Sequence, residues 1–247
     1  MVKLVIHITK VIVAAIVALL FSSCNNFSIS GLNKVEGNGN VVTKTRNVPS
    51  NFTAISASRG LEVILEQSPD TKVTVEADEN LQSHIKTEVV NGELRITSDA
   101  NIKNEKAKKV YVSLPKLDYF EASSGSSVSS KNVLKNNAMA FSSSSGSRIV
   151  IKVEAETVSC ESSSGSSIKI SGKASRLDSD SSSGSSIDAK ALTVKDAVAE
   201  SSSGSSITLN TSQSLTAEAS SGSSVNYIGT PNNLIKKLSS GGSISQE

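Results

Sequence analysis

Five acidic side chains recur at one position of a serine-glycine motif. Each stands four residues before a glycine, and one motif copy has Ser142 there instead: Glu121, Glu161, Asp180, Glu200 and Glu218. If the copies stack, neighbouring carboxylates repel unless a cation lies between them, and Ca²⁺ prefers oxygen ligands. The pattern predicts a candidate strip for calcium or a polar ligand. The alternative is a solvated edge that keeps the protein soluble and deters edge pairing.

Serines form a second series, two residues before the same glycines: Ser123, Ser144, Ser163, Ser182, Ser202 and Ser220. In a stack they would form a row of hydroxyls that could face a glycan or ice. The same hydroxyls can bond to the backbone and to one another along the stack. We expect this structural role for them.

Residues suited to catalysis are few. His84 is the only histidine after the first 23 residues, and the sequence has no Gly-x-Ser-x-Gly nucleophile turn. The Ser-x-x-Lys match at Ser166 and Lys169 is expected by chance in a chain with about one serine in five residues. A polysaccharide lyase or hydrolase would need paired acids with neighbouring Arg or Lys, and usually aromatic residues that stack on sugars. The repeats contain only two arginines, Arg148 and Arg176, and almost no aromatic residues. We predict that the protein is not an enzyme.

The motif repeats with a period near twenty. Its glycines are separated by 21, 19, 19, 20, 18 and 19 residues: Gly125, Gly146, Gly165, Gly184, Gly204, Gly222 and a degraded copy at Gly241. Such a period indicates one supersecondary unit stacked on itself, so that neighbouring copies bury each other.

Hydrophobic residues alternate with polar ones around each glycine, which is typical of a β-strand with one buried face. Three sets are predicted to point inward: Met139, Val158, Leu177, Ala197 and Leu215; Phe120, Phe141, Cys160, Ala199 and Ala217; Val128, Ile149, Ile168, Ile187, Ile207 and Val225. Too little chain separates the strands for crossover helices. The sequence predicts an all-β fold, a right-handed parallel β-helix of Ser-Gly-Ser rungs over residues 119–247, about 30 Å long at ~4.8 Å per rung.

Composition agrees with a narrow core and excludes one class of partner. Aromatic residues are 3% of the chain and tryptophan is absent, while hydrophobic residues reach 37%. The formal net charge is +2, and Lys3 and Lys10 account for it. A neutral chain with so few aromatic residues lacks the basic surface and the stacking platforms of a nucleic-acid binder.

Residues 43–118 predict an all-β N-terminal cap. Alternating strands are expected at 61–65, 72–76, 85–90, 94–97 and 110–114, with a hairpin turn at Asn91-Gly92. The segment from Ile55 to Gly60 is a candidate worn first copy of the repeat, and 226–247 is expected to close the far end.

The N-terminus predicts export and lipidation. Residues 1–23 have a basic start, an apolar run and small residues before Cys24, the layout of a lipoprotein signal peptide in which Cys24 carries the lipid. Residues 24–42 predict a flexible tether. The alternative is an ordinary signal peptide with an incidental cysteine. If Cys24 is lipidated, Cys160 has no partner, which excludes a disulfide framework.

Several segments together resemble a known family. Leu94-Arg95-Ile96, Leu114-Pro115-Lys116-Leu117, the Ser-Gly-Ser ladder and the closing Tyr227-Ile228-Gly229-Thr230-Pro231 are similar to the family described as putative auto-transporter adhesin head, GIN domain. The resemblance covers nearly everything from about residue 50 onward. It implies an all-β solenoid-like fold and a lipoprotein or secreted location, commonly in Bacteroidetes-type bacteria.

These observations favour a lipid-anchored, non-catalytic solenoid of the outer membrane that presents a regular surface for adhesion or glycan binding. Its expected partners are the membrane, through the lipid, and a glycan or an envelope protein, with no nucleic acid. A periplasmic scaffold without an external ligand is the alternative, and a lyase or hydrolase is a third. The sequence leaves open whether the protein faces the periplasm or the outside.

Overall fold

A computed structural model describes residues 33–247, in which Val35–Glu247 form one compact unit. The predicted signal peptide and Cys24 lie outside the described residues. Nine strands precede the repeats: β1 (Lys34–Glu36), β2 (Val41–Arg46), β3 (Ala54–Ala57), β4 (Glu62–Gln67), β5 (Lys72–Asp78), β6 (Ile85–Val90), β7 (Glu93–Ser98), β8 (Asn101–Lys103) and β9 (Lys108–Leu114). A single 3₁₀ turn, Glu79–Leu81, lies between β5 and β6.

The repeats and the closing segment form ten further strands: β10 (Tyr119–Ala122), β11 (Ser127–Ser130), β12 (Leu134–Ser143), β13 (Arg148–Ser162), β14 (Ser167–Ser181), β15 (Ser186–Ser201), β16 (Ser206–Ala219), β17 (Ser224–Ile228), β18 (Asn233–Leu238) and β19 (Ser243–Gln246).

Strands on either side of each glycine corner stack into two parallel sheet faces. The leading face comes before the corners and contains β3, β10, the ends of β12 to β16, and β18. The trailing face comes after the corners and contains β4, β11, the starts of β13 to β16, β17 and β19. The result is a β-solenoid of about seven turns, in agreement with the predicted all-β solenoid.

Each corner is a tight turn with two residues in the left-handed region. In one copy φ is +52° at Ser164 and +70° at Gly165, and the N–H of Ser166 donates to the carbonyl of Ser163 at 3.2 Å. Positive φ at both central residues defines a type I′ turn. A side chain at Gly165 would meet nothing within 4 Å, so this glycine is required for its conformation rather than for space.

The solenoid core includes every residue of the three sets predicted to point inward, together with further residues such as Ile151, Leu192 and Leu209. Phe120 and Phe141 are among its largest side chains, whereas later rungs place Cys160 and Ala199 at the same position. The narrow interior explains how the fold forms without tryptophan.

Buried serines line the inside of each corner. Ser166 Oγ donates to the carbonyl of Ser143 one rung earlier at 2.7 Å and accepts the N–H of Ser163 at 3.2 Å. It also lies 2.9 Å from Ser162 Oγ. The same bonds recur in the next rungs at Ser185 and Ser205. These hydroxyls satisfy backbone groups that the corner removes from water.

The cap is a mixed sheet continuous with the solenoid. β2 and β9 pair with β5 in antiparallel fashion, as do β6 and β7 around the Asn91-Gly92 turn. β7 and β9 continue the leading and trailing faces through parallel pairing with β3 and β4. The first rung thus lies at residues 54–67, within the range assigned to the cap, where a worn copy was expected. Ile55 lies opposite Phe120 of the next rung.

Asp78 joins three segments of the cap. Its side chain is fully buried and accepts N–H groups from Gly39 at 2.7 Å and from Lys106 and Ala107, both at 3.0 Å. Burial opposes ionisation of this carboxyl, but the backbone donors more than offset it and lower its pKa.

β1 and part of β2 fall within residues 24–42, where the composition predicts a tether. The contact with Gly39 links the turn between β1 and β2 to the end of β5.

The last rung ends the stack without a covering strand among the described residues. β18 pairs on one side with β16, and β19 with β17. All of β18 is exposed, including Ile235 at 54% and Leu238 at 57%. Residues 226–247 therefore continue the solenoid to its end.

Candidate ligand-binding surface

The predicted acidic series forms one continuous column on the outside of the leading face. Glu121 lies opposite Ser142, Ser142 opposite Glu161, Glu161 opposite Asp180, Asp180 opposite Glu200, and Glu200 opposite Glu218. Adjacent positions are thus one strand spacing apart, about 4.8 Å. Glu121 is half-buried and the other four carboxylates are exposed.

Basic residues extend this column at both ends. Lys237 of the last rung lies opposite Glu218, with 3.5 Å between Nζ and Oε2. At the other end the register continues through Ser56 to Arg95, whose Nε is 2.9 Å from Glu93 Oε2. Across residues 33–247, the middle carboxylates Glu161, Asp180 and Glu200 form no ion pair.

A shallow depression of about 230 Å³ lies beside these three carboxylates. Asp178 also lines it and forms a bidentate pair with Arg176, with distances of 2.7 and 3.0 Å. Hydrogen bonding and charge from Asp178 raise the pKa of Arg176. This pair neutralises one of the acids next to the column.

The carboxylates of the column lie in one row, with at most one on each rung. Ca²⁺ takes six to eight oxygen ligands at once, and the part of the chain that the structure describes contains no group of three or more His, Cys, Asp or Glu side chains able to hold a metal ion. Calcium binding by the column stays a prediction.

The predicted serine ladder lies at the edge of the corners. Its members are half-buried, while the serines one residue later are exposed and adopt positive φ: Ser124, Ser145, Ser164, Ser183, Ser203, Ser221 and Ser240. The hydroxyl row that solvent reaches most freely is therefore this second set. Sequence reasoning missed the buried serines three residues before and one residue after four of these glycines, Gly146, Gly165, Gly184 and Gly204, although their spacing matches the inward positions.

The residues considered for catalysis are held in structural contacts. Nδ1 of His84 lies 2.7 Å from Asp99, and Lys86 Nζ lies 3.0 Å from the same carboxylate; both bonds lower the pKa of Asp99. Lys169 pairs with Asp188 at 3.1 Å, and Ser166 is buried in the corner network, so the Ser-x-x-Lys match is not a nucleophile and base. Burial raises the pKa of the Cys160 thiol to about 12, which makes it a poor nucleophile.

A larger groove of about 750 Å³ crosses four successive strands, β12 to β15, and Ser212 of β16 lies at its edge. Each of the four strands contributes a run of three residues: 135–137, 154–156, 173–175 and 193–195. Sequence reasoning missed this groove. One feature of the sequence could have indicated it. A small residue stands between polar neighbours at the same position of two adjacent rungs, where Ala155 lies opposite Ala174.

A search of the described residues for a helix long and apolar enough to cross a membrane finds none. The arrangement as a whole is that of a β-solenoid protein with a mixed-sheet cap, in which side-chain columns on the outside offer surfaces for recognition.

The chain belongs to the family described as "Putative auto-transporter adhesin, head GIN domain", whose model matches residues 51–231. The match agrees with the resemblance identified from the sequence. The family description names an adhesin and not an enzyme. No curated protein matches the chain.

Solved structures of similar fold include proteins from Bacteroides and Parabacteroides species. A putative adhesin from Bacteroides fragilis is 20% identical with a TM-score of 0.81, and the match covers 86% of this chain and 100% of that one. A protein from Parabacteroides distasonis named as a putative lipid binding protein is 20% identical with a TM-score of 0.74, covering 87% and 100%. A putative adhesin from Parabacteroides merdae is 17% identical with a TM-score of 0.71, covering 87% and 99%. At these identities the similarity concerns the fold.

Proposed function

We propose that this protein is a lipid-anchored, non-catalytic adhesin-like solenoid of the outer membrane that binds a glycan or an envelope protein through its side-chain surface. The observation that carries the proposal is the in-register stacking of outward side chains along the leading face, from Glu121 to Glu218. Similar side chains repeated at a fixed spacing can make many weak contacts with a repetitive ligand, and these contacts together strengthen binding. The family description and the names of the similar structures support adhesion.

Anchoring is the part of the proposal that rests on sequence. Cys24, after an apolar run and two small residues, would carry the lipid, and the residues that follow it would link the lipid to the solenoid. A right-handed coil is part of the proposal too, since parallel crossover connections are right-handed in about 98% of cases.

Protease treatment of intact cells, with a periplasmic protein as control, tests the location. Digestion of the solenoid while the control survives would support an outward-facing adhesin. Protection of both proteins would overturn it and favour the periplasmic scaffold. The observation that favours this second candidate is the exposed strand β18, where Leu234, Ile235 and Leu238 are exposed and a partner strand could add.

Adhesion itself is tested with beads that carry the purified full chain, scored for attachment to host mucus or to bacterial surface polysaccharide. Beads that carry the heat-denatured chain are the control. Attachment of the native beads alone supports the proposal, and equal retention of both bead types contradicts it.

A further inference from the structure

We propose that the groove across β12 to β15 is a binding site for an extended acidic polysaccharide, one that carries carboxylate or sulfate groups along its chain. The inference rests on the proposed adhesin function and names a ligand class and a site for it. The observations that carry it are the charge, the free polar groups and the repeat geometry of the groove.

One wall of the groove is an in-register row of exposed side chains. Lys135 lies opposite Glu154, Glu154 opposite Lys173, and Lys173 opposite Thr193. Exposed Asn137, Glu156 and Lys195 also line the groove. Between these side chains, Ala155 and Ala174 are half-buried against the core, and their small size leaves the groove open.

Both acids of the groove have a partner inside the protein, and its three lysines exceed its two glutamates by one charge. Lys135 Nζ binds Glu154 Oε2 at 2.8 Å, and this contact lowers the pKa of Glu154. Glu156 accepts a hydrogen bond from Ser175 at 3.0 Å. Lys173 and Lys195, in contrast, form no ion pair with any residue between 33 and 247. The groove therefore offers two ammonium groups to an anionic ligand.

The backbone in the groove is not available for strand addition. β13 and β14 each pair with a neighbouring strand on both sides, so their N–H and C=O groups are engaged and an extended peptide could not join the sheet there. Recognition must come from side chains. Amides, hydroxyls and ammonium groups such as Asn137, Thr193 and Lys195 are suited to sugar hydroxyls and carboxylates.

Repeat geometry favours a sugar chain over a compact anion. Four rungs at ~4.8 Å give the groove a length of about 14 Å between its first and last strands. One pyranose of an extended β-linked chain advances by a length close to a single rung. Successive sugars can thus meet successive rungs, and Lys173 and Lys195 come from adjacent ones.

Binding of the full chain to alginate, a uronic-acid polymer, tests the site, with dextran as the neutral polymer and polyglutamate as the acidic polypeptide. We expect binding to alginate and not to dextran. The double variant Lys173→Glu with Lys195→Glu reverses both charges and should weaken alginate binding at least about tenfold. Raising the salt from about 0.1 to about 1 M should also weaken it, because the screening length falls from ~10 to ~3 Å.

The matched control reverses two exposed lysines outside the groove, Lys44→Glu with Lys152→Glu, which change the net charge equally. Retained alginate binding in this variant supports the site. Three results would overturn the assignment. The wild-type chain does not bind alginate, it binds polyglutamate as tightly as alginate, or both double variants lose affinity for alginate to the same extent. Beads that still adhere while alginate does not bind would overturn the groove assignment and leave the adhesin proposal standing.

Discussion

Asp78 is predicted to be the most costly single carboxylate to remove. Replacing it with alanine leaves the N–H groups of Gly39, Lys106 and Ala107 without their acceptor. A hydrogen bond to a charged group contributes about 1.5–3 kcal/mol, and bonds to one acceptor are not additive, so we expect a loss of about 3–5 kcal/mol in the free energy of unfolding. Urea denaturation followed by far-UV circular dichroism measures it, since the chain has no tryptophan for fluorescence.

The pH dependence gives a sharper test. The pKa of Asp78 in the folded state lies below its ordinary value of 3.8, because backbone N–H groups donate to the carboxylate. The ionised side chain therefore stabilises the protein at pH values above the pKa of the unfolded state. This contribution is lost as the pH falls through 3.8 and then through the lowered folded pKa. The stability difference between wild type and Asp78→Asn should therefore shrink on acidification below about pH 4.

Asp70→Asn is the control, because this exposed residue carries none of the hydrogen bonds or ion pairs found in the described chain. The reasoning about Asp78 is refuted if Asp78→Ala costs less than about 1 kcal/mol, below the value of a single charged hydrogen bond. A difference between wild type and Asp78→Asn that does not change between pH 7 and pH 3 would also refute it.

Three further predictions concern the solenoid. Gly172→Ala should destabilise the protein far more than Gly184→Ala in thermal melts, because its new methyl group would collide with the carbonyl oxygen of Val153 whereas Gly184 has open space; equal melting temperatures would contradict this. Ser166→Ala should cost about 1–2 kcal/mol in urea denaturation by leaving buried backbone groups unsatisfied, and exposed Ser164→Ala close to none; a larger loss at Ser164 would reverse the roles given to the two serines. Cys160 should resist a thiol reagent at pH 8 and react fully in urea, as its burial and raised pKa require; with Cys24 replaced by serine so that only Cys160 can react, rapid labelling of the native chain would disprove its burial.

The solenoid could be predicted from sequence because its signals are local and repeated. Alternation around Gly165 identifies Cys160 and Ile168 as inward residues, and the same offsets recur in each copy. The first rung at Ile55 was harder to recognise, since Arg59 replaces the serine of the corner while keeping its positive φ of 60°.

Features that depend on contacts between distant segments could not be predicted. Asp78 looks like any other acidic residue until Gly39 and Ala107 approach it. The groove also depends on contacts between distant segments. Its lining comes from stacked strands, and its charge depends on the pairing of Lys135 with Glu154. Which lysines remain available for a ligand depends on which of them form ion pairs. The spacing of residues along the sequence does not reveal these pairs.

The route of the chain through the cap has a consequence for the order of folding. After the first rung the chain builds β5 to β9 before β10 returns to stack on β3, so Phe120 meets Ile55 across 65 residues, whereas Cys160 meets Phe141 across only 19. Closing the longer loop costs about 1 kcal/mol more entropy. We expect the later rungs to nucleate folding and the first rung to be joined to them afterwards. Destabilising substitutions at Ile168 should then slow folding, and those at Ile55 should mainly speed unfolding.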